Sequence, residues 1–215
     1  MAETGTKAPR ERYRTQVRAE IKERAWEQIA TAGTSALSLN AIAKQMGMSG
    51  PALYRYFASR DDLITELIRD AYQSLADTFR AAAEPGPDAA ALAHALRGWA
   101  LADPQRYFLM YGTPVPGYHA PDDITAISSR IMATLLDAFT ALHSGSPGTP
   151  LDAHLDEHRG WADGHPAPPA ALRRALAFWT RLHGVLSLEL AGHFRGMDLD
   201  PEQLFTAELD TLLER

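Results

Sequence analysis

Apolar residues recur every three to four positions along this chain, and no stretch alternates in the manner of a half-buried strand bounded by turns. The pattern predicts an all-α protein of about nine helices. Val17, Ile21, Ala25 and Ile29 mark one face of a first helix running from about Arg12 to Ala32, with Gly33 as its stop. Ser38 is placed to cap a short second helix carrying Leu39, Ile42, Ala43 and Met46, which Gly47 closes. Ser49 is placed to cap a third, with Pro51 tolerated in its first turn. Ser59-Arg60-Asp61-Asp62 has the form of a capping box and opens a long fourth helix, with Leu63, Leu67, Ala71, Leu75 and Phe79 inward.

Further helices begin at Asp88 and at Asp103-Pro104, the second ending by Gly112. A Pro/Gly loop is expected over 113 to 121, then a seventh helix from Asp122 to Leu142. Residues 143 to 170 are rich in Pro, Gly, Asp and His and are expected to form a long, mobile loop. An eighth helix spans about Ala170 to Phe194, and Asp200-Pro201 starts a ninth. Leu172, Leu176, Trp179, His183, Leu186 and Leu190 lie alternately four and three residues apart, a heptad-like seam. The seam fits a helix pair between two copies and fits core packing within one chain equally well.

Composition narrows the class. Hydrophobic residues make up 46% of the 215, enough for a sizeable core. No uncharged run is long enough to span a membrane, and the N-terminus lacks the apolar stretch of a secretory signal. Cysteine is absent, which removes disulfides and thiolate metal sites and agrees with a cytoplasmic protein. The net charge of −6 is unevenly divided: residues 1 to 60 hold ten Lys or Arg against five acids, and the remainder is strongly acidic. A basic front end on an acidic body suits a polyanionic partner for the front end alone.

Two short helices joined by Gly47-Met48-Ser49 form a helix-turn-helix, whose second helix lies in the DNA major groove. The composition of SGPALYRYFASR, residues 49 to 60, follows from that task. Gly50, Pro51 and Ala52 keep the front of the helix small enough to approach base edges. Tyr54 and Arg60 offer a hydroxyl and a charge to phosphates. Leu53 and Phe57 fasten the helix to its neighbours, with Tyr56 sharing that work, and Arg55 points outward.

Residues 37 to 63, LSLNAIAKQMGMSGPALYRYFASRDDL, resemble the DNA-binding region of the TetR family of bacterial transcription regulators. The shared pattern is Ile-Ala in the second helix, a Gly-Met-Ser turn, Leu-Tyr-x-x-Phe in the third, then a base and a Leu. The family usually has Lys where this chain has Arg60, which keeps the charge and alters the geometry. The resemblance implies that Ser38, Asn40, Ser49, Gly50, Pro51, Ala52, Tyr54, Arg55 and Arg60 face DNA. It also implies a DNA-binding domain over 1–59 and a ligand-binding and dimerisation domain over 60–215. On charge, an arm before the first helix, with Lys7, Arg10, Arg12 and Arg14, is expected to follow the DNA backbone or enter a minor groove.

Trp179, His183 and Gly184 further resemble a regulatory domain of this family named for a Trp-His-Gly signature. By resemblance the protein is a homodimeric repressor, paired through the helices near 170–194 and 201–213, on a palindromic double-stranded DNA operator, released by a small-molecule effector, with no enzymatic activity and no cofactor. Trp99, Tyr107, Phe108, Tyr111, Phe139, Trp179 and His183 are the candidate pocket lining, although aromatic residues on helices serve plain core as well.

Two readings compete. HLDEH, residues 154 to 158, fits a zinc-hydrolase pattern in which His154 and His158 hold the metal and Glu157 activates water. It needs a stable buried helix and a third ligand, and the Pro and Gly residues around it argue instead for a solvated loop. A helical interaction module without DNA binding leaves the charge asymmetry and the 49 to 60 pattern unexplained.

Overall fold

A computed structural model describes residues 9–112, 121–142 and 148–214. Lys7, residues 113 to 120 of the loop expected over 113 to 121, and the first part of the segment expected as a loop, 143 to 147, lie outside these residues. Among the described residues there are ten α-helices and no strand: α1 Pro9–Ala32, α2 Leu39–Gln45, α3 Gly50–Leu53, α4 Arg60–Ala83, α5 Ala89–Ala102, α6 Pro104–Tyr111, α7 Asp122–Ala141, α8 Pro150–Glu157, α9 Pro169–Leu190 and α10 Pro201–Leu213. They form two compact units that divide within α4, between Asp70 and Ala71.

In the first unit, the spacing of Val17, Ile21, Ala25 and Ile29 puts all four on the buried face of α1. Leu39, Ile42 and Ala43 of α2, Leu53 and Phe57, and Leu63, Ile64 and Leu67 of α4 are buried as well and make up the unit's apolar interior. The α1 helix begins three residues earlier than its periodicity suggests, because Pro9 suits a first turn that needs no amide donor. Arg10, Arg12 and Arg14 therefore lie on α1 itself and not on an arm preceding it.

The second unit is built around α9, which packs against α7, α8 and α10. Leu172 and Leu186 of the heptad-like seam are fully buried in the unit's own interior, and Leu176, Trp179 and Leu190 pack against it. Two positions of the seam thus serve the chain's own core, and Leu176, Trp179, His183 and Leu190 are half-buried. Arg97 of α5 reaches Glu189 of α9 at 2.8 Å, and its guanidinium lies 5.7 Å from the centre of the Phe205 ring on α10.

The segment expected as a loop over 143 to 170 carries α8 instead, followed by a short 3-10 turn at Arg159–Ala162. Thr149 and Asp152 form a full capping box: the Thr149 hydroxyl accepts from the Asp152 amide at 3.2 Å, and Asp152 accepts from the Thr149 amide at 2.7 Å. Leu155, Ala162 and Ala167 are buried and supply the apolar contacts the segment's composition conceals. The second oxygen of buried Asp152 accepts from Arg173 Nε of α9 at 2.8 Å. Burial alone pushes the Asp152 carboxyl up, but the Thr149 amide, Arg173 and the Thr149 hydroxyl outweigh it and hold the group below its usual value.

Asp152→Ala is accordingly expected to lose about 2 kcal/mol in urea unfolding at neutral pH. Because the folded-state value is depressed, this contribution is present above the ordinary aspartate range and is lost as pH falls through the lowered value. The gap between wild type and variant should close there.

Candidate nucleic-acid interface

The first unit presents a short helix on a well-anchored base. Ser38 caps α2 by accepting from the Ala41 amide at 3.3 Å. At its other end Met48 N–H bonds Ala43 O at 2.8 Å and Gly47 N–H bonds Lys44 O at 3.2 Å, the double closure of a Schellman turn. Gly47 sits at φ +65°, a left-handed position that a side chain would strain. The turn delivers the chain to Ser49, which occupies the cap position of α3 but makes no side-chain cap bond, contrary to the expectation that its hydroxyl caps the helix. Pro51 stands in the first turn, where its missing amide costs nothing.

α3 proper is only Gly50–Leu53, continued by a turn through Tyr56. Leu53 and Phe57 are fully buried and fix it from beneath. Asn40, Ser49, Pro51, Tyr54 and Arg55 are exposed, and Ser38, Gly50 and Ala52 are half-buried. Tyr54, at 45% exposure, is a surface residue and not a core tyrosine. A Cβ added to Gly50 would come 3.4 Å from Asn40 Oδ1, so the start of α3 lies against the exposed start of α2. Arg10, Arg12 and Arg14 are all exposed on α1.

Two arginines anchor this arrangement. Arg18 of α1 donates to the Tyr56 carbonyl, pairs with Glu66 of α4 at 3.2 Å, and stacks its guanidinium 4.2 Å from the centre of the Phe57 ring. Arg60 turns inward: Nη2 donates to Thr34 O at 2.6 Å and Nε to Leu37 O at 3.2 Å, with Nη1 3.6 Å from Asp61. Its fork thus binds the 3-10 turn at Thr34–Ala36 and the residue before the Ser38 cap. Sequence reasoning found Arg60 and missed Arg18, whose partners Tyr56 and Glu66 lie far along the chain.

Residues 21–67 match the sequence pattern described as "Bacterial regulatory proteins, tetR family", and residues 89–212 match "Tetracyclin repressor-like, C-terminal domain". The chain is 36% identical over 230 aligned residues to the HTH-type transcriptional regulator Rv1816 of Mycobacterium tuberculosis, with 99% of this chain and 97% of that protein covered. The chain belongs to the TetR family. The HTH-type transcriptional regulator Mb1846 of Mycobacterium bovis matches at the same identity and coverage. Among solved structures, one of a regulatory protein, SCO4313, aligns with a TM-score of 0.88 at 71% identity, covering 96% of this chain and 99% of that one. The TetR family regulator PfmR of Thermus thermophilus shares the fold, with a TM-score of 0.56 at 19% identity over 91% of this chain and 99% of that one. This TetR family chain is therefore a DNA-binding transcriptional regulator with an all-α fold. Its C-terminal match carries the tetracyclin-repressor description.

The candidate pocket residues divide in this family member's second unit. Tyr107, Phe108 and Tyr111 of α6 and Trp179 and His183 of α9 come together, with Tyr111 4.4 Å and Trp179 4.2 Å from the His183 ring, centre to centre. Phe139 pairs instead with Phe178 at 5.8 Å, and Trp99 donates to Ser74 Oγ at 3.1 Å. Burial lowers the His183 imidazole to about 4, and it raises the Tyr107 phenol to about 12. Since the folded value for His183 lies below the unfolded one, folding stability should fall as pH drops from about 6.5 toward 4. His183→Phe should flatten that slope in urea melts across the same range.

His154 and His158 do lie on and at the end of α8, with rings stacked 4.3 Å apart. Both are exposed, as is Glu157, and His158 Nδ1 bonds the His154 carbonyl at 2.9 Å. Among the described residues no group of three or more potential ligands gathers anywhere. No described helix is long and apolar enough to cross a membrane.

Proposed function

We propose that the protein is a cytoplasmic, one-component repressor and not an enzyme. In this reading two copies bind a palindromic operator, and a small molecule entering the second unit releases them. The observation that carries the reading is the division along 50 to 57: Leu53 and Phe57 are buried while Pro51, Tyr54 and Arg55 stand exposed. On this reading α3 enters the major groove, with Gly50, Pro51 and Ala52 near base edges. Ser38, Ser49 and Tyr54 bond phosphates, Asn40 and Arg55 read bases, and Arg10, Arg12 and Arg14 follow the backbone. In a dimer the two copies of α3 would lie about 34–36 Å apart, one helical turn of DNA. The effector must favour one arrangement of the dimer over the other, and α4, which both units share, is the element suited to carry that bias.

Selection of bound fragments from random DNA tests this directly. A two-fold symmetric site is expected, and asymmetric fragments or none at all would overturn the dimeric repressor.

Arg60 belongs to this reading as a positioning residue as well as a positive charge. Its two carbonyl contacts hold the start of α2, where Ser38 and Asn40 sit. A lysine keeps the charge and loses the fork. Arg60→Lys is therefore expected to weaken operator binding about tenfold while leaving non-specific affinity and the salt slope unchanged. Should the lysine variant bind operator as well as wild type, the charge alone is what matters.

A further inference from the structure

Tyr107 Oη lies 3.1 Å from the His183 carbonyl oxygen and 3.1 Å from His183 Nδ1. A phenol has a single proton, so one arrangement satisfies both contacts. The hydroxyl donates to the carbonyl, and Nδ1–H donates to the phenol oxygen. That fixes the His183 tautomer and leaves Nε2 a bare acceptor. Nε2 is buried without a protein partner, and so is the Tyr111 hydroxyl. The two rings that bear them are 4.4 Å apart, and Trp179 stands edge-on to Tyr111 at 5.6 Å. Interiors rarely leave such groups unpaired, and two within one ring cluster point to a shared guest.

We propose that this cluster receives a neutral aromatic molecule bearing a hydroxyl, which donates to His183 Nε2 and accepts from Tyr111 Oη. The proposal rests on the reading that the second unit takes an effector. The chemistry of the two groups disfavours three other classes. A carboxylate would turn its lone pairs toward the bare acceptor at Nε2. A quaternary ammonium has neither a proton for Nε2 nor a lone pair for the Tyr111 hydroxyl. A methyl ether has no proton to give. The lowering of His183 to about 4 by burial agrees with surroundings that disfavour charge. The flat rings of Tyr107, Tyr111 and Trp179 offer edges and faces to an aromatic guest.

Calorimetric titration of the full chain with 1-naphthol, 1-methoxynaphthalene and 1-naphthoate tests this. Naphthol is expected to bind at least tenfold more tightly than either of the others. Tyr111→Phe removes one oxygen that has no protein partner, so its melting temperature should not fall. It should weaken naphthol and methoxynaphthalene alike, by about threefold or more, because the oxygen of each accepts from the Tyr111 hydroxyl, and leave the preference for naphthol, which His183 Nε2 sets, in place. Equal affinity for naphthol and methoxynaphthalene, tighter binding of naphthoate, or no binding of any probe would each overturn the proposal. The last result would mean that the two groups are paired by water alone. Naphthol binding with the expected preference but without effect on operator affinity would support this site and overturn release by an effector.

Discussion

Phe57→Ala is expected to destabilise the first unit by about 3–5 kcal/mol and to abolish operator binding at ordinary temperatures. The magnitude follows from what the ring does. It is fully buried, and its removal leaves a cavity next to α3 that a four-residue helix has little means to fill. The ring also seats the Arg18 guanidinium, which in turn holds the Tyr56 carbonyl and Glu66. Loss of the ring removes the seat of a partly buried guanidinium as well as leaving a cavity, so the upper half of that range is the better expectation. Urea unfolding followed by circular dichroism should show an early transition absent from wild type. A loss below about 1 kcal/mol would mean that α3 is held mainly by its turn and not from beneath.

The head was legible in the sequence because its determinants are local. A four-residue apolar step, a Ser cap, a glycine closing a short helix and a capping box at Ser59 each act over a handful of residues. The Ser59 hydroxyl does accept from the Asp62 amide at 3.0 Å, and Asp62 reaches back to the amide of Ala58. The same logic would have found α8. Thr149-Pro150-Leu151-Asp152 is a capping box with proline in its first turn, and Leu155 follows Leu151 at helical spacing. Proline, glycine and histidine around it dominated the composition and hid that signal. Pro9 likewise marked the true start of α1.

What the sequence withheld is long-range pairing. Nothing near Arg60 announces that its fork bonds Thr34 and Leu37. Nothing near Tyr107 announces His183, or near Arg97 announces Glu189. The heptad-like seam of α9 shows the limit from the other side. Its periodicity is real, but the same spacing serves a partner helix from another copy or the chain's own α7 and α10: Leu172 and Leu186 are buried in the chain's own core, while Leu176, Trp179, His183 and Leu190 are half-buried. The faces of α9 left outward, with Leu188, Gly184 and Arg181, are not predictable from the repeat.

Ala52→Glu is expected to weaken operator binding more than a hundredfold without loss of fold. Ala52 lies at the front of α3, half-buried beside exposed Pro51. A glutamate there leaves Leu53 and Phe57 in place, so the melting temperature should change little. In the groove the new carboxylate meets phosphates on both sides and acceptor-rich base edges ahead, and like charges brought together in this way cost several kcal/mol. Two decades of affinity correspond to about 2.7 kcal/mol, within that reach. Charge and bulk are separable. Repulsion between charges is screened over about 10 Å at 0.1 M salt, so the deficit should shrink as salt rises, whereas a steric deficit persists. Ala19→Glu, in the exposed middle of α1, adds the same charge away from α3 and controls for the overall field. If Ala52→Glu binds operator no worse than Ala19→Glu, α3 does not read DNA, and exposure of Tyr54 and Arg55 must serve some other surface.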